Sequence, residues 1–275
     1  MLRLFAIVIF ISQLSACSNM LFFPVREHLL DPAEHGVKYL DISVATADQQ
    51  KLHGWLLPVS GELKGTVVFF HGNGENISTH IGAVYWLPKK GYQVILVDYR
   101  GYGKSDGRAT LDGSIIDIQR TIEYVSKNYA DDKPFIVMGQ SIGASMSIYA
   151  VARSAVKNKI DGLVLVAPFS DYQQVTQEAL SKSWLTWLFQ YPLSWTISNE
   201  YKPADYIKSV NPVPVYFIHG TSDRIISNEH SKKLFELALP PKKLYLIDGG
   251  HNDIAGTEKY KTTLTDILQE IVAAK

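Results

Sequence analysis

Short apolar runs, separated by longer stretches with a one-sided apolar pattern, recur along most of this chain. Residues 65–70, 92–97, 135–138, 163–166, 213–218 and 244–247 are built mainly from Val, Ile, Leu, Phe and Tyr. Unbroken runs of this kind suit parallel strands, which are covered on both faces. Between them, residues 112–129 place Ile115, Ile118, Ile122 and Val125 on one face of a helix. Residues 78–90, 144–153, 227–237 and 257–274 are predicted as further helices, the first with Ser78 as its cap. Upstream, 37–47 and 51–59 alternate apolar with polar positions and predict an antiparallel pair at a sheet edge. Together these elements predict an α/β domain: an eight-stranded, mostly parallel sheet with helices on both faces.

One segment breaks the alternation. Residues 172–210 separate two strands by far more than an ordinary connection and predict a small helical cap. The cap carries Trp184, Trp187, Phe189, Tyr191 and Trp195. Aromatic burial dominates core packing, so most of these are expected to pack the cap onto the sheet. The functional alternative is an apolar acyl pocket or gate.

The candidate chemistry lies where the runs end, and ligands in open parallel sheets bind beyond the carboxyl ends of the strands. Residues 135–138 lead into Gly139-Gln140-Ser141-Ile142-Gly143 and then a helix. Strand, Gly-x-Ser-x-Gly, helix is the context of a nucleophile elbow, a sharp turn that exposes the serine hydroxyl. A serine needs a base to take its proton, and the base needs a carboxylate to orient it. Ser141, Asp223 and His251 follow the order serine, acid, histidine, each just past a predicted strand. His28 and His35 fall in the N-terminal linker, His53 on an edge strand, and His80 and His230 on predicted helices. His71 and His219 end strands but precede the nucleophile or the acid in the wrong order. Asp171 is the alternative acid, because it ends the preceding strand; chain order favours Asp223. The oxyanion of an acyl-transfer intermediate needs backbone N–H donors. Ile142 supplies one, and the loop His71-Gly72-Asn73-Gly74 supplies the other, from Asn73. No metal or organic cofactor is required by this chemistry.

Composition narrows the setting. Formal net charge is zero and 20% of the 275 residues are charged, which gives no sign of a nucleic-acid partner. Hydrophobic residues make up 46%, enough for a full core. The single cysteine is Cys17, so the domain has no intramolecular disulfide and no thiol nucleophile. Arg3, the apolar stretch 4–14 and the small residues before Cys17 fit a secretory signal peptide. Leu14-Ser15-Ala16-Cys17 resembles the lipobox of bacterial lipoproteins. That resemblance implies cleavage after residue 16 and a lipidated Cys17 that tethers the chain to the cell envelope. Ser18 stands where an inner-membrane retention aspartate sits in such proteins, which favours the outer membrane. The expected organisation is a signal peptide at 1–16, an anchor and linker at 17–36 packed on the domain, and a catalytic domain at 37–275.

From about residue 52 onward the motifs resemble those of the α/β-hydrolases. The residues that carry the likeness are His71-Gly-Asn-Gly74, Asp98-Tyr-Arg-Gly-Tyr-Gly-Lys-Ser105, the elbow at 139–143, His219-Gly-Thr-Ser-Asp223 and Gly249-Gly-His-Asn252. The nearest likeness is to membrane-associated depalmitoylases and monoglyceride lipases of that superfamily. It implies a serine hydrolase that cleaves small carboxylic esters or thioesters through an acyl-enzyme. A peptidase on the same fold is the second reading, and a lipoprotein that binds without turnover is the third. Arg100 and Asp106 resemble structural loop residues. Where relatives often carry Asp-Gly before the second strand, this chain has Asp48-Gln49, which leaves that hairpin turn in question.

Overall fold

The computed structural model describes residues 21–130 and 132–275. Cys17 and the signal segment lie outside the described residues. The eight strands are β1 (Leu40–Ala45), β2 (Lys51–Leu57), β3 (Gly65–Phe70), β4 (Tyr92–Val97), β5 (Phe135–Gln140), β6 (Gly162–Val166), β7 (Val215–Gly220) and β8 (Lys242–Ile247). They form one sheet in the order β1-β2-β4-β3-β5-β6-β7-β8. β2 pairs antiparallel with β1 and β4, and every other pairing is parallel. The helices are α1 (Ile77–His80), α2 (Leu111–Asn128), α3 (Ile142–Ala152), α4 (Tyr172–Ser181), α5 (Gln190–Ser194), α6 (Pro203–Tyr206), α7 (Glu229–Leu237) and α8 (Glu258–Ala274).

The two-residue period of the strands divides the core. Val68, Phe70, Phe135 and Val137 join one apolar cluster with Ile115, Ile118 and Ile122 of α2 and Met146 of α3. Val67, Phe69, Ile136 and Met138 face the other side, against Leu264, Ile267 and Ile271 of α8. Both faces of β3 and β5 are thereby dry, which is why their sequences do not alternate.

Three points of the sequence reading are altered or answered at this level. Residues 78–90 do not form one helix. Asn76, not Ser78, caps α1, its side chain accepting from the Ser78 amide at 3.0 Å. Separate 3-10 turns follow at Ile81–Ala83 and Leu87–Lys90. Pro88, with no N–H to give, sits in the last of these, which suits a short turn better than a helix interior. The second is the hairpin, whose expected antiparallel pairing forms and whose turn, left in question, is answered. Gln49 takes a left-handed backbone, φ 63°. Thr46 and Asp48 hold the turn together: Thr46 Oγ1 donates to Asp48 Oδ1 at 2.6 Å and accepts from the Gln50 amide at 2.9 Å. Arg100 then bonds Asp48 and Asp117, each at 2.7 Å, and joins the hairpin to α2. The third change is in the cap, where the aromatics do not pack on the sheet. Trp184 is 83% exposed and Trp195 68%, and Trp187, Phe189 and Tyr191 are all more than half exposed.

The described part of the linker is strapped to the domain. Phe22 is buried, edge-on to Tyr102. The Asn76 side chain donates to the carbonyls of Val25 and Glu27. His28 Nε2 donates to buried Asp98 at 3.1 Å. These bonds run from residues 21–28 to loops at the carboxyl end of the sheet, so the strap reaches the rim of the site.

Candidate active site

The site begins with backbone geometry. β5 runs straight into α3 through Ser141, whose φ of 54° and ψ of −121° are far outside the usual regions for a side-chain-bearing residue. The Ser141 amide still bonds Val166 on β6 at 2.8 Å, so sheet pairing continues up to the turn itself. The flanking glycines are required by contact. A Cβ on Gly139 would lie 2.6 Å from Ala144 Cα, and one on Gly143 would lie 2.4 Å from the carbonyl oxygens of Phe70 and His71. The chain can therefore turn this tightly only with hydrogen at both positions.

The turn aims Ser141 Oγ at His251, with Nε2 at 3.1 Å. His251 Nδ1 lies 2.7 Å from Asp223 Oδ2. A carboxylate only accepts, so Nδ1 carries the proton and the Nε2 lone pair faces the serine. β7 and β8 are neighbours, and their loops are tied to one another: the Ser222 amide donates to Gly249 O at 3.1 Å, and Thr221 to Ile247 O at 2.9 Å. Asp253 accepts from the Gly250 amide at 2.8 Å and closes the loop that presents His251. Asp248 takes the Thr221 hydroxyl.

Asp223 is held in place on every side. The amides of Ile225 and Ile226 donate to its Oδ1 at 2.8 and 2.9 Å. His219 Nε2 lies 3.3 Å from Oδ2 and donates to Ile226 O at 3.0 Å. Burial by itself would raise the carboxyl pKa. The hydrogen bonds from His219 and His251 and the His251 charge outweigh it, and Asp223 is held well below the usual carboxylate range. The alternative acid, Asp171, is committed elsewhere. It caps α4 through the Gln174 amide at 3.0 Å and pairs with Lys202 at 3.2 Å.

The amides of Ile142 and Asn73, two residues that line the same cavity as Ser141, have no acceptor among the described residues. Ile142 starts α3, where helix amides point outward unpaired. Asn73 is fixed by its side chain, whose Oδ1 accepts from Phe23 N and Tyr102 OH, both at 3.0 Å, and from Gly74 N at 2.8 Å. Its Nδ2 donates to the Leu21 carbonyl. His71 beneath the loop is fully buried, and burial pushes its pKa down to about 4, so it stays neutral.

A cavity of about 540 Å³ opens beside Ser141. Its walls include Phe169, Val175, Ala179 and Leu180 at and after the end of β6, Leu193 and Ile197 from the far side of the cap, and Ile225 and Ile226 beside Asp223. Sequence reasoning missed several of its residues. Gln140 and His80 line the cavity, and so do Leu21 and Phe23 of the strap. Burial lowers the His80 pKa. Gln140 sits inside the elbow motif and could have been read from it. Leu21 and Phe23 carry no local signal, because they reach the pocket only through the strap.

The parallel sheet, the elbow at Ser141 and a histidine loop after the last strand define an α/β-hydrolase. The family model described as serine aminopeptidase, S33, matches residues 61–211, and the chain belongs to this family of hydrolases. It is 31% identical over 252 residues to the uncharacterized protein YfhR of Salmonella typhi, covering 85% of this chain and 82% of that one. It is 28% identical over 254 residues to the protein bem46 of Schizosaccharomyces pombe, covering 89% and 81%. Among solved structures, the Pyrococcus furiosus esterase Pf2001 superposes with a TM-score of 0.73 at 24% identity, over 91% of this chain and 99% of that one. That likeness shows the shared fold.

Proposed function

We propose that this protein is a membrane-tethered serine hydrolase that cleaves carboxylic esters or thioesters through an acyl-enzyme on Ser141. The observation that carries the reading is the hydrogen-bond chain from Ser141 through His251 to Asp223, placed at the mouth of an apolar cavity. In the first step Ser141 Oγ bonds to the acyl carbon as His251 Nε2 takes its proton. Asp223 keeps Nδ1 protonated and stabilises the imidazolium. The amides of Ile142 and Asn73 receive the oxyanion. On collapse His251 returns the proton to the departing oxygen or sulfur. Water, deprotonated by the same histidine, then releases the acid.

The pocket favours an ester or thioester over a peptide. An aminopeptidase must pair the α-ammonium of its substrate, and among the described residues no carboxylate lines the cavity. The apolar walls suit an acyl chain, and the volume is that of a small-molecule site. The tether rests on the sequence around Cys17, with the cell envelope, and the outer membrane first, as its location. More than one acyl chain is what stable anchoring needs, which diacylglyceryl modification would supply.

The test is fluorophosphonate labelling of the purified protein, read by peptide mapping, with a series of p-nitrophenyl esters and acyl thioesters. One adduct is expected, on Ser141, and lost in His251→Ala. Turnover in Ser141→Ala should fall by at least about a thousandfold. Equal turnover in that variant would sink the mechanism. Intact mass of the N-terminal peptide from membranes checks the tether: a diacylated Cys17 supports it, and an unmodified cysteine overturns it.

A further inference from the structure

We propose that the exposed apolar face of the cap, between Trp184 and Trp195, docks on the lipid bilayer and holds the mouth of the Ser141 cavity against it. The substrate is then an acyl ester or thioester resident in the membrane. This deepens the hydrolase reading and rests on it for the substrate, while the docking itself stands on separate observations.

The first is the cap's inverted packing. Leu193 and Ile197 turn inward and line the cavity with α4. Gln177 bonds Ser194 at 3.0 Å, and Thr186 donates to Leu180 O at 2.6 Å, so the cap closes on itself by polar contacts. Its large side chains are left outside: Trp184, Leu185, Trp187, Leu188, Phe189 and Trp195 are each more than half exposed. Large apolar side chains left exposed so close together along one segment mark a surface that something covers.

Composition points to lipid as the occupant. Residues 183–198 contain no charged side chain. Tryptophan and tyrosine with leucine and phenylalanine is the mixture that settles at a membrane interface, where indole and phenol bridge apolar and wet layers. Among the described residues no helix is long and apolar enough to cross a membrane, so this face would lie on the bilayer.

The second observation is where the chain enters. Leu21, the first described residue, lines the cavity, as does Phe23, which is 66% exposed. Cys17 is four residues before Leu21, so a lipid anchor there would keep Leu21, on the cavity wall, within about 14 Å of the lipid at full extension. Lys182 spans from the cap to the opposite lip, donating to Arg224 O at 2.6 Å and Ile225 O at 3.0 Å. Half-exposed Ile225 also lines the cavity. Strap, lip and cap thus share one opening through Leu21, Ile225 and Leu193, and a lipid anchor on Cys17 would bring a bilayer to that end of the chain.

The test uses the full lipidated chain reconstituted into phosphatidylcholine and phosphatidylglycerol vesicles with brominated acyl chains. Three of the five tryptophans, Trp184, Trp187 and Trp195, are in the exposed face, while Trp55 and Trp86 are buried. Brominated lipid should quench most of the exposed-tryptophan emission. The variant Trp184→Ser, Trp187→Ser, Trp195→Ser should lose that quenching yet still float with the vesicles through its anchor. It should hydrolyse p-nitrophenyl acetate like the parent but turn over a vesicle-embedded long-chain ester about tenfold more slowly, as weakened interfacial binding implies. Wild-type flotation without quenching would overturn the proposal. So would a wild-type dimer, by light scattering, that dissociates in the triple variant, because a second copy would then be the occupant. Failure of the wild type on p-nitrophenyl acetate would defeat the hydrolase reading alone, with quenching still deciding the docking.

Discussion

Asp223 Oδ2 accepts the Nδ1 proton of His251 at 2.7 Å, while Oδ1 of the same carboxylate is taken by two backbone amides. The carboxylate therefore cannot rotate away, and His251 has one tautomer open to it, with its free lone pair on the serine. Replacing Asp223 by Asn keeps the shape but lets the side-chain amide donate to Nδ1, which forces the wrong tautomer. Asp223→Asn should lower kcat by roughly ten-thousandfold with little change in KM. Steady-state kinetics on a short p-nitrophenyl ester would show it; a loss confined to KM would mean that Asp223 shapes binding only.

The same carboxylate gives stability a pH dependence. Its pKa in the folded protein is below the unfolded value, so folding releases a proton when the group must ionise. Its contribution is complete above the ordinary aspartate pKa of about 3.9 and declines as pH falls below that. Urea midpoints of the parent and of Asp223→Asn should differ most at neutral pH and converge in acid. A constant gap across that range would mean that Asp223 stabilises the fold without ionising.

Gln49 holds a left-handed backbone in a turn where glycine costs nothing in strain. Gln49→Gly should stabilise the protein by roughly 0.5–1 kcal/mol, after allowing for the greater chain entropy of glycine. A higher melting temperature with unchanged ester turnover is the expected result. A lower one would mean that the glutamine side chain contributes more than its backbone strain removes.

Arg100 is nearly buried between Asp117 and Asp48. Burial dominates at Asp117 and raises its pKa, whereas the Arg100 hydrogen bond dominates at Asp48 and lowers its pKa to about 2. Asp117 is thus the partner whose presence depends on the arginine. Asp117→Ala should leave the buried Nε side of the guanidinium unpaired, with Asp48 as its remaining partner, and destabilise by about 3 kcal/mol. Asp48→Ala, at the more exposed end, should cost far less. Chemical denaturation of both variants separates the two, and equal losses would contradict the assignment.

A second serine–histidine–acid set lies under the cap. His230 Nδ1 is 2.9 Å from Ser170 Oγ, and Nε2 is 3.0 Å from Glu178 of α4. Ser170 is fully buried and lines no part of the cavity, so it has no access to substrate. The set ties α4 to α7 instead. Ser170→Ala should leave fluorophosphonate labelling intact, and Glu178→Ala should make the cap more sensitive to limited proteolysis. Loss of labelling in the serine variant would show that the two sets are coupled.

Much of the architecture is legible in local pattern. The apolar runs at Gly65–Phe70 and Tyr92–Val97 are strands with those bounds, and the four-residue face of α2 is the face it buries. Periodicity works there because it records which side of an element meets apolar neighbours. It fails between Ile77 and Lys90, where a cap two residues earlier and a proline break a periodic stretch into turns. It also fails in the cap, since a tryptophan looks the same in sequence whether it packs inward or faces out. What covers it depends on the layer opposite, which is set by distant residues. The motifs that carry Ser141, Asp223 and His251 are local and visible. Their meeting is not: 110 residues separate the serine from the histidine, and β5, β7 and β8 must pair through the sheet before the two atoms stand 3.1 Å apart. The chain by itself determined the strands, the elbow and the chemical groups available. Only the folded sheet decided which groups share a proton, which strap reaches the cavity, and which aromatic face is left exposed, because each depends on packing between segments that sequence order keeps far apart.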